Sequence, residues 1–449
     1  MKETILAGKA RLTAFFDAAT FVELNAHMRR ASEISENEGV VCGYGALDGR
    51  LVFAFAQDVS AMKGALDARH AEKIAALYAK AMSVGAPVVG FFDCAGAVVF
   101  EGAAALSGYG KLLATVASAS GVIPQIAVID GVCAGTMAAV AALFDFTVVS
   151  NESKLYVGSP TQLGDAVATA AYAMENGNAA LQADSKEGAA AAVRALISYL
   201  PDHCGSGVPV IQGDDANRAV ALPERTDAAS ALDAAVDAGS LLALCEGIAP
   251  NVKIGLARMG GAPAAVLAAD GELTVAALTK MRKLLSFADA FALPVVSLVN
   301  CTGVAASAED EPHLAAAMAD LALVLGKSTA PRVTAIVGAA IGAGFLFGGA
   351  KELGADLVLA LPRAEIAALT APAAVAFLWN DRIAGETSRA DLEKEWASTV
   401  ATPENAAATG AIDDIVAPAE LRARLIAALY MLEGKSGGSP VRRHTVRPM

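Results

Sequence analysis

Short uncharged runs rich in β-branched residues alternate with amphipathic stretches along this chain. The runs are VFAFA, PVVGFF, IAVI and FTVV in the first half, and AAVLAA, PVVSLV, VTAIV and LVLAL in the second. Such runs are typical of central strands that are buried on both faces. The stretches His70–Val84 and Val275–Ala292 have apolar residues at helical spacing. The alternation of strand and helix predicts an α/β protein built from right-handed βαβ units.

The same pattern is written twice. PVVGFFDCAG at Pro87–Gly96 returns as PVVSLVNCTG at Pro294–Gly303, 207 positions later. PQIAVIDGVCAG at Pro124–Gly135 returns as PRVTAIVGAAIG at Pro331–Gly342, also 207 positions later. Weaker matches flank these pairs, namely Gly43–Asp58 with Gly255–Asp270 at an offset of 212, and Asp145 with Asp356 at an offset of 211. The shared order of landmarks predicts two homologous domains in tandem.

A polar segment rich in Gly, Pro and Asp separates the two copies, at Pro201–Ser240. Such composition is typical of a linker. We therefore predict domains at residues 1–225 and 226–449. The last stretch, Glu433–Met449, is predicted to be an extended tail. It carries the basic cluster Arg442, Arg443, His444 and Arg447.

One segment has the composition of a membrane helix. Val333–Ala350 contains eighteen residues without a charge and a Gly-x-x-x-Gly spacing. Its counterpart in the first copy, Ile126–Ala142, carries Asp130 in the middle. We therefore predict that both segments are a strand, a glycine turn and a buried helix.

The amino-acid composition limits the classes of protein to which this chain could belong. Hydrophobic residues make up 55% of the 449 residues and charged ones 18%, which favours a folded protein. The formal net charge of −13 disfavours nucleic acid as a partner. None of the six cysteines forms a CxxC pair and the five histidines lack metal-ligand spacing, so we expect no metal. The N-terminus lacks the apolar stretch of a signal peptide, which favours a cytoplasmic location.

The glycines after the repeated strands could have a chemical role. The turns predicted at Asp93–Ala97 and Asn300–Val304, and those at Gly131–Thr136 and Gly338–Gly344, all contain glycine. Glycine permits positive φ, and the helix that follows a turn begins with free N–H groups. Two such turns side by side could place two N–H donors on one oxygen, as an oxyanion hole for a thioester enolate. The alternative is that the glycines only permit close packing.

Lys63 and Glu101 are two charged residues of the first half that could have a chemical role. Ala61-Met62-Lys63 resembles a biotin-attachment tripeptide, but it lies far from the C-terminus and lacks the following Met. We interpret Lys63 as a solvated surface lysine. Glu101 could serve as an acid or base, but a role at a helix N-terminus is favoured.

With these residues in view, the chain resembles the carboxyltransferase subunit of biotin-dependent acyl-CoA carboxylases and decarboxylases, such as propionyl-CoA carboxylase β and methylmalonyl-CoA decarboxylase α. The motifs that carry the resemblance run nearly from end to end. In order they are ARLTAFFDAATFVELN, GYGALDGRLVFAFAQD, KGALDARHAEKI, DCAGAVVFEG, LSGYGKL, SGVIPQIAVIDGVCAG, VRALISYLP, VKIGLARMGG, FADAFALPVVSLVN, KELGADLVLALPRAEIA, AAATGAIDDIVAP and PVRRHTVRPM.

The resemblance implies two tandem crotonase-like domains, each a superhelix of ββα units. The N-terminal domain is implied to bind the acyl-CoA and the C-terminal domain to bind biotin, with the active site at a dimer interface. Biotin would arrive on a biotin carboxyl carrier protein, and the acyl-CoA thioester would be the substrate. The resemblance further implies a homo-oligomer, as a dimer or a trimer of dimers. A membrane decarboxylase subunit is a further expected partner, which would hold the chain at the periphery of the inner membrane.

The resemblance also assigns site residues. Gly135 and Thr136 would hold the thioester oxygen, and Ala343 and Gly344 the ureido oxygen of biotin. Leu346 would lie at the floor of the acyl pocket. The other positions implied to line the substrate sites are Ala95, Gly96, Ala97, Cys133, Ala134, Gly303 and Gly342.

Departures from the family pattern leave alternatives open. Val98 replaces an arginine, and Gly338 and Ala339 stand where Arg-Lys is usual. The chain could therefore be the subunit of a decarboxylase, which is the first choice, or the β subunit of a carboxylase. It could also be a non-catalytic subunit that binds acyl-CoA or scaffolds a complex. A crotonase-type hydratase that uses Glu101 is a further alternative.

Overall fold

A computed structural model describes residues 7–28, 39–223, 226–305, 307–383 and 387–435. The chain divides into two compact units, Met1–Val208 and Pro209–Met449, which are described separately below. The basic cluster Arg442, Arg443, His444 and Arg447 lies outside the described residues, as do residues 224–225 at the predicted boundary.

The first unit contains eight strands and seven α-helices among the described residues. The strands are β1 (Val22–Leu24), β2 (Val40–Leu47), β3 (Arg50–Gln57), β4 (Val88–Cys94), β5 (Gln125–Ala134), β6 (Phe146–Ser150), β7 (Lys154–Tyr156) and β8 (Leu181–Ala183). The helices are α1 (Ala7–Phe15), α2 (Ala68–Val84), α3 (Ala103–Ala119), α4 (Thr136–Ala141), α5 (Pro160–Leu163), α6 (Ala170–Glu175) and α7 (Lys186–Ile197).

These strands form one sheet in the order β1-β2-β3-β4-β5-β6-β8, and β7 pairs with the far end of β5. The hairpin β2–β3 is antiparallel, whereas β3, β4, β5 and β6 are parallel. Helices α2 and α3 cover one face through a core that includes Ile74, Tyr78 and Leu112. The parallel strands thus all end at one edge of the sheet, where their carboxyl-terminal turns lie.

The second unit repeats this plan. The strands are β9 (Leu242–Leu244), β10 (Val252–Met259), β11 (Ala262–Leu273), β12 (Val295–Val304), β13 (Arg332–Ile341), β14 (Leu357–Ala360), β15 (Glu365–Ala367) and β16 (Asp414–Ile415). The helices are α8 (Ala228–Ala235), α9 (Val275–Ala290), α10 (Glu311–Leu325), α11 (Ala343–Gly349), α12 (Ala371–Leu378), α13 (Arg389–Thr399), α14 (Pro403–Ala408) and α15 (Leu421–Met431).

Its sheet order is β16-β14-β13-β12-β11-β10-β9, and β15 pairs with β13 as β7 pairs with β5. The hairpin β10–β11 is antiparallel and the following strands are parallel. The prediction of two tandem α/β domains built from the same repeated units is therefore confirmed. Even the weaker landmarks correspond, since Asp145 accepts the N–H of Gln125 and Asp356 accepts the N–H of Arg332, both at 2.8 Å.

The uncharged segment 333–350 is strand β13, a turn at Gly342 and helix α11. This confirms the predicted strand, turn and buried helix. Within the described ranges, no helix is both long enough and apolar enough to cross a bilayer.

The compact units divide earlier than the predicted boundary after residue 225. The segment before that boundary is bonded to the second unit: the N–H of Ile211 donates to Gly261 O at 3.2 Å, and that of Val220 to Ala419 O at 3.2 Å. The polar composition of this segment indicated a linker. These hydrogen bonds join residues that are far apart in sequence, and they attach the segment to the second unit.

Candidate active site

Strands β4 and β5 end side by side, and so do the turns that follow them. Cys94 at the end of β4 is the ladder partner of Cys133 on β5, after a register shift that begins at Phe92. The extra residues on β5 form a bulge, which re-aims the end of the strand. The two cysteines are fully buried, so the small side chains let the two turns approach.

Asp93 holds this bulge in place. Its Oδ1 accepts the N–H of Val132 at 3.0 Å, and its own N–H donates to Oε1 of Gln57 at 3.0 Å. A Cβ at Gly131 would lie 2.3 Å from the Asp93 carboxylate. The polar residue before the cysteine is therefore a hydrogen-bond acceptor for a bulged strand, and the glycine leaves room for it.

The second unit uses the same device. Oδ1 of Asn300 accepts the N–H of Ala339 at 2.9 Å, and a Cβ at Gly338 would lie 2.2 Å from that oxygen. Cys301 pairs with Ala340 after an equivalent register shift. Gly338 and Ala339, which depart from the family pattern, thus occupy the bulge that Asn300 holds.

The turn after β5 offers one unoccupied donor. Gly135 has φ +62°, and its N–H donates to Tyr156 O at 2.9 Å. Thr136 is the exposed first residue of α4. Among the described residues its N–H has no acceptor, as expected for the first turn of a helix. The donor available to a ligand at this turn is therefore that of Thr136 rather than that of Gly135.

The turn after β4 offers a second backbone N–H donor. The N–H groups of Ala95 and Val98 donate to carbonyl oxygens of the loop before α2, at 3.2 and 2.9 Å, and that of Gly96 contacts a thiol sulfur at 3.4 Å. The N–H of Ala97 has no acceptor in the part of the chain that the structure describes. Among the described residues, Ala97 and Thr136 thus present N–H groups without an acceptor on two neighbouring turns, and an oxyanion hole is built from backbone donors of this kind.

In the second unit the corresponding turn follows β13. Gly342 has φ +53° and donates its N–H to Ala367 O at 2.9 Å. Ala343 begins α11, and its N–H lacks an acceptor among the described residues. Gly344 is buried, and a Cβ there would lie 2.8 Å from Cβ of Cys301. This glycine is explained by helix-to-strand packing.

The two turns correspond residue for residue. Gly342 matches Gly135, because each caps its helix with positive φ and donates to a short strand, β15 or β7. Ala343 consequently matches Thr136. The pair Ala343–Gly344 chosen from the sequence lies one residue later than the counterpart of Gly135–Thr136.

The predicted turn at Asn300–Val304 is wrong. These residues are the end of strand β12, and the chain leaves the sheet at Ala305. The physical reason is that β11 continues past a bulge after Gly271 and supplies strand partners for the end of β12. Glu272 pairs with Gly303, and Leu273 pairs with Val304. Gly303, with φ +143°, lies in a strand.

The remaining predicted residues are spread over this edge. Cys133 and Ala134 are buried at the end of β5, where they pair with Leu155 and Tyr156. Leu346 is 42% exposed on α11. Val98, where the family has a cation, is 2% exposed.

The thiols at the strand ends are not nucleophiles. Burial raises the pKa of Cys94 to about 11 and that of Cys301 to about 12, and it raises the pKa of Cys133 well above its usual range. A protonated thiol is a poor nucleophile. In the described ranges, no group of three or more His, Cys, Asp or Glu side chains is arranged to hold a metal ion. Backbone N–H groups are therefore the main groups at this edge that could interact with a substrate.

Glu101 and Asp130, near the first site, have structural partners. Oε2 of Glu101 accepts the N–H of Ala68 at 3.3 Å, at the start of α2, which confirms the helix-end interpretation. Asp130 pairs with Arg11 and lies 4.0 Å from Nζ of Lys186. Burial raises the pKa of Asp130, while the Arg11 guanidinium opposes this shift. Sequence reasoning missed these pairs because their members come from distant parts of the chain.

Comparison with known proteins places this geometry in a family. A profile described as "Carboxyl transferase domain" matches residues 6–446. The chain belongs to the carboxyl transferase domain family.

Known members of this family match the chain over almost its full length. The propionyl-CoA carboxylase carboxyltransferase subunit of Haloferax mediterranei is 32% identical, over 99% of this chain and 93% of that protein. The methylmalonyl-CoA decarboxylase subunit alpha of Veillonella parvula is also 32% identical, over 99% and 93%. A crystal structure of transcarboxylase 12S with methylmalonyl-coenzyme A and methylmalonic acid bound, described as a hexamer assembly, superposes with a TM-score of 0.93 at 27% identity. That match covers 98% of this chain and 92% of that one.

Proposed function

We propose that this chain is the carboxyltransferase subunit that moves a carboxyl group between an acyl-CoA and biotin on a carrier protein. The observation that carries the proposal is the pair of equivalent turns at Thr136 and Ala343. Among the described residues, each unit presents a helix-starting N–H without an acceptor at the carboxyl edge of its parallel strands. One turn is assigned to the thioester carbonyl and the other to the ureido carbonyl of biotin.

Methylmalonyl-CoA and propionyl-CoA are the proposed substrate pair. Relatives that match the whole chain are named for these two thioesters, and the transcarboxylase structure contains methylmalonyl-CoA. In both directions the α-carbon of the acyl group acquires enolate character, so negative charge develops on the thioester oxygen. The N–H groups of Thr136 and Ala97 would stabilise that charge without any ionisable side chain.

Biotin supplies the nitrogen that carries the carboxyl group. The residues of the second unit fit its ureido carbonyl, because Ala343 offers an N–H that no described residue accepts, at a partly exposed position beside a glycine with positive φ. The first unit, Met1–Val208, is assigned to the acyl-CoA, and the second unit, Pro209–Met449, is assigned to biotin.

We place the chain in a decarboxylase complex, with a biotin carboxyl carrier protein and a membrane decarboxylase subunit as partners and with the chain itself as a homo-oligomer. A full-length relative is a decarboxylase alpha subunit, and the transcarboxylase 12S structure is a hexamer. The alternative is a carboxylase complex, for which the propionyl-CoA carboxylase relative argues. A hydratase is disfavoured, because Oε2 of Glu101, the side chain that would serve as its base, accepts the Ala68 N–H at the start of α2.

The test uses the purified full-length chain with methylmalonyl-CoA and free biotin. We expect biotin-dependent formation of propionyl-CoA, which is measured by chromatography of the thioesters. CoA binding without turnover, when a biotinylated carrier is also supplied, would favour the non-catalytic alternative. Absence of both turnover and CoA binding would refute the proposal.

A further inference from the structure

The first unit carries a loop that the second unit does not have. Leu66 pairs in parallel with Ala97, as Leu273 pairs with Val304 in the second unit. Seven residues separate Leu66 from Asp58, but only two separate Leu273 from the matching Asp270. The segment Asp58–Leu66, called the Lys63 loop below, therefore contains five residues that the repeated fold does not need.

Both ends of the Lys63 loop are fixed. Asp58 is fully buried, and its carboxylate accepts the N–H of Gly8 at 3.2 Å and that of Ser60 at 2.9 Å. At the other end, Leu66 is fully buried and donates its N–H to Gly96 O at 2.8 Å. The loop is thus held against the turn after β4.

Three successive residues of this loop are left-handed. Met62, Lys63 and Gly64 have φ values of 51°, 54° and 67°. Gly64 has a packing reason, because a Cβ there would lie 2.0 Å from Asp93 O. Met62 and Lys63 have Cβ atoms and are strained in this region. Strain of this kind persists where the surrounding structure enforces it, often at sites of function.

Lys63 lies beside the free N–H donors. Its carbonyl accepts the N–H of Ala95 at 3.2 Å, so its backbone touches the turn that contains Ala97. The side chain is exposed and forms no ion pair with any described residue. Val98, on the same turn, provides no charge. Lys63 thus has no counter-ion within the described ranges, and it is held at the edge where the acyl-CoA is proposed to bind.

We propose that the Lys63 ammonium binds an anionic group of the acyl-CoA, namely the acyl carboxylate or a CoA phosphate. The inference rests on the proposed function. An ammonium on a flexible stem is a point charge that can serve either oxyanion. The backbone strain is then explained, because a glycine at position 63 would relieve it but would remove the charge.

The experiment compares Lys63→Arg, Lys63→Gln and Lys63→Gly with the wild type. Binding of CoA and of methylmalonyl-CoA is measured by calorimetry, together with kcat and KM in the free-biotin assay. We expect Lys63→Gln and Lys63→Gly to raise Kd about 3- to 10-fold, as for one partly solvated ionic hydrogen bond, and to raise KM by a similar factor. Lys63→Arg should retain most of the affinity. Lys63→Gly should melt at or above the wild-type temperature, which separates the loss of binding from unfolding.

Two substrate analogues distinguish the sources of the anion. If a phosphate is bound, the effect persists with propionyl-CoA and disappears with a methylmalonyl-pantetheine thioester. If the carboxylate is bound, the effect persists with the methylmalonyl-pantetheine thioester and disappears with propionyl-CoA. Equal binding by wild type, Lys63→Gln and Lys63→Gly would overturn this inference alone. A wild type that neither binds CoA nor turns over would overturn the proposed function with it.

Discussion

Replacing Thr136 with proline should remove one catalytic donor and leave the fold intact. Thr136 is the first residue of α4, where the fixed φ of proline fits and no helical hydrogen bond is lost. Gly135 before it has ψ −133°, outside the helical region that a following proline disfavours. The side chain is exposed, so no core contact is removed. The change is therefore close to deletion of a single N–H group.

The expected loss in turnover is large. An oxyanion-hole donor contributes about 2.7–4 kcal/mol, or about 100- to 1,000-fold in kcat. The assay is carboxyl transfer from methylmalonyl-CoA to free biotin, with CoA affinity and melting temperature measured in parallel. We expect kcat to fall by that factor, while CoA affinity and melting temperature stay near the wild-type values. Ala343→Pro should behave in the same way at the other turn, because Gly342 has ψ −124°.

The matched controls keep the N–H group. Thr136→Ala and Ala343→Gly should retain kcat within a few-fold of the wild type, since neither side chain is assigned a chemical role. A folded Thr136→Pro variant with wild-type kcat would refute the assignment of this donor. Equal losses in Thr136→Ala and Thr136→Pro would show that the side chain, and not the backbone, carries the effect.

Three further predictions concern stability and are read by thermal melting. Burial raises the pKa of Asp145 from 3.8 to about 7, so its contribution to stability is fully present below about pH 4 and is lost as the pH rises to 7. Asp145→Asn should remove up to about 4 kcal/mol of this dependence between about pH 4 and 7. The fully buried Arg422 pairs with Asp237 at 2.6 Å, so Asp237→Ala should cost about 3–5 kcal/mol, and adding Arg422→Met should recover part of it. Asn300→Asp would place two carboxylates together, because Asn300 Nδ2 lies 2.8 Å from Oδ1 of Asp270, and it should lower the melting temperature more at pH 8 than at pH 5. A melting temperature with the wild-type pH dependence in the first and third variants, or an unchanged one in the second, would contradict these assignments.

The repeated strands could be predicted from sequence because their signal is local. An apolar run ending in Asp-Cys or Asn-Cys is visible within ten residues, and a constant offset of 207 marks the second copy. The landmark aspartates Asp145 and Asp356 could be located in the same way. Their hydrogen bonds to strand-starting N–H groups could not, because these require the sheet to be assembled.

The donor positions depended on elements that come later in the chain. Tyr156 on β7 and Ala367 on β15 accept the N–H groups of Gly135 and Gly342, and these three-residue strands have too little pattern to be recognised. Glycine at a turn indicated where a donor could lie, but which N–H stays free is decided by its neighbours. For the same reason the end of β12 at Val304 could not be foreseen, since it follows from the continuation of β11.

The two copies of the repeated motif differ in charge for a reason that lies in their surroundings. In the second unit Asn300 accepts from Ala339 and also donates to the Asp270 carboxylate, which an amide can do and an ionised carboxylate cannot. In the first unit Asp93 accepts from Val132 through Oδ1, and a carboxylate meets that need.

The repeat therefore preserves a backbone geometry rather than a set of side-chain charges. The N–H groups that carry the proposed chemistry belong to that geometry. These N–H groups remain when Val98 stands in place of an arginine and when Gly338 and Ala339 stand in place of Arg-Lys. Departures from the family's side-chain pattern thus bear on how the substrate is held, as the Lys63 loop illustrates, and leave the donors of both turns in place.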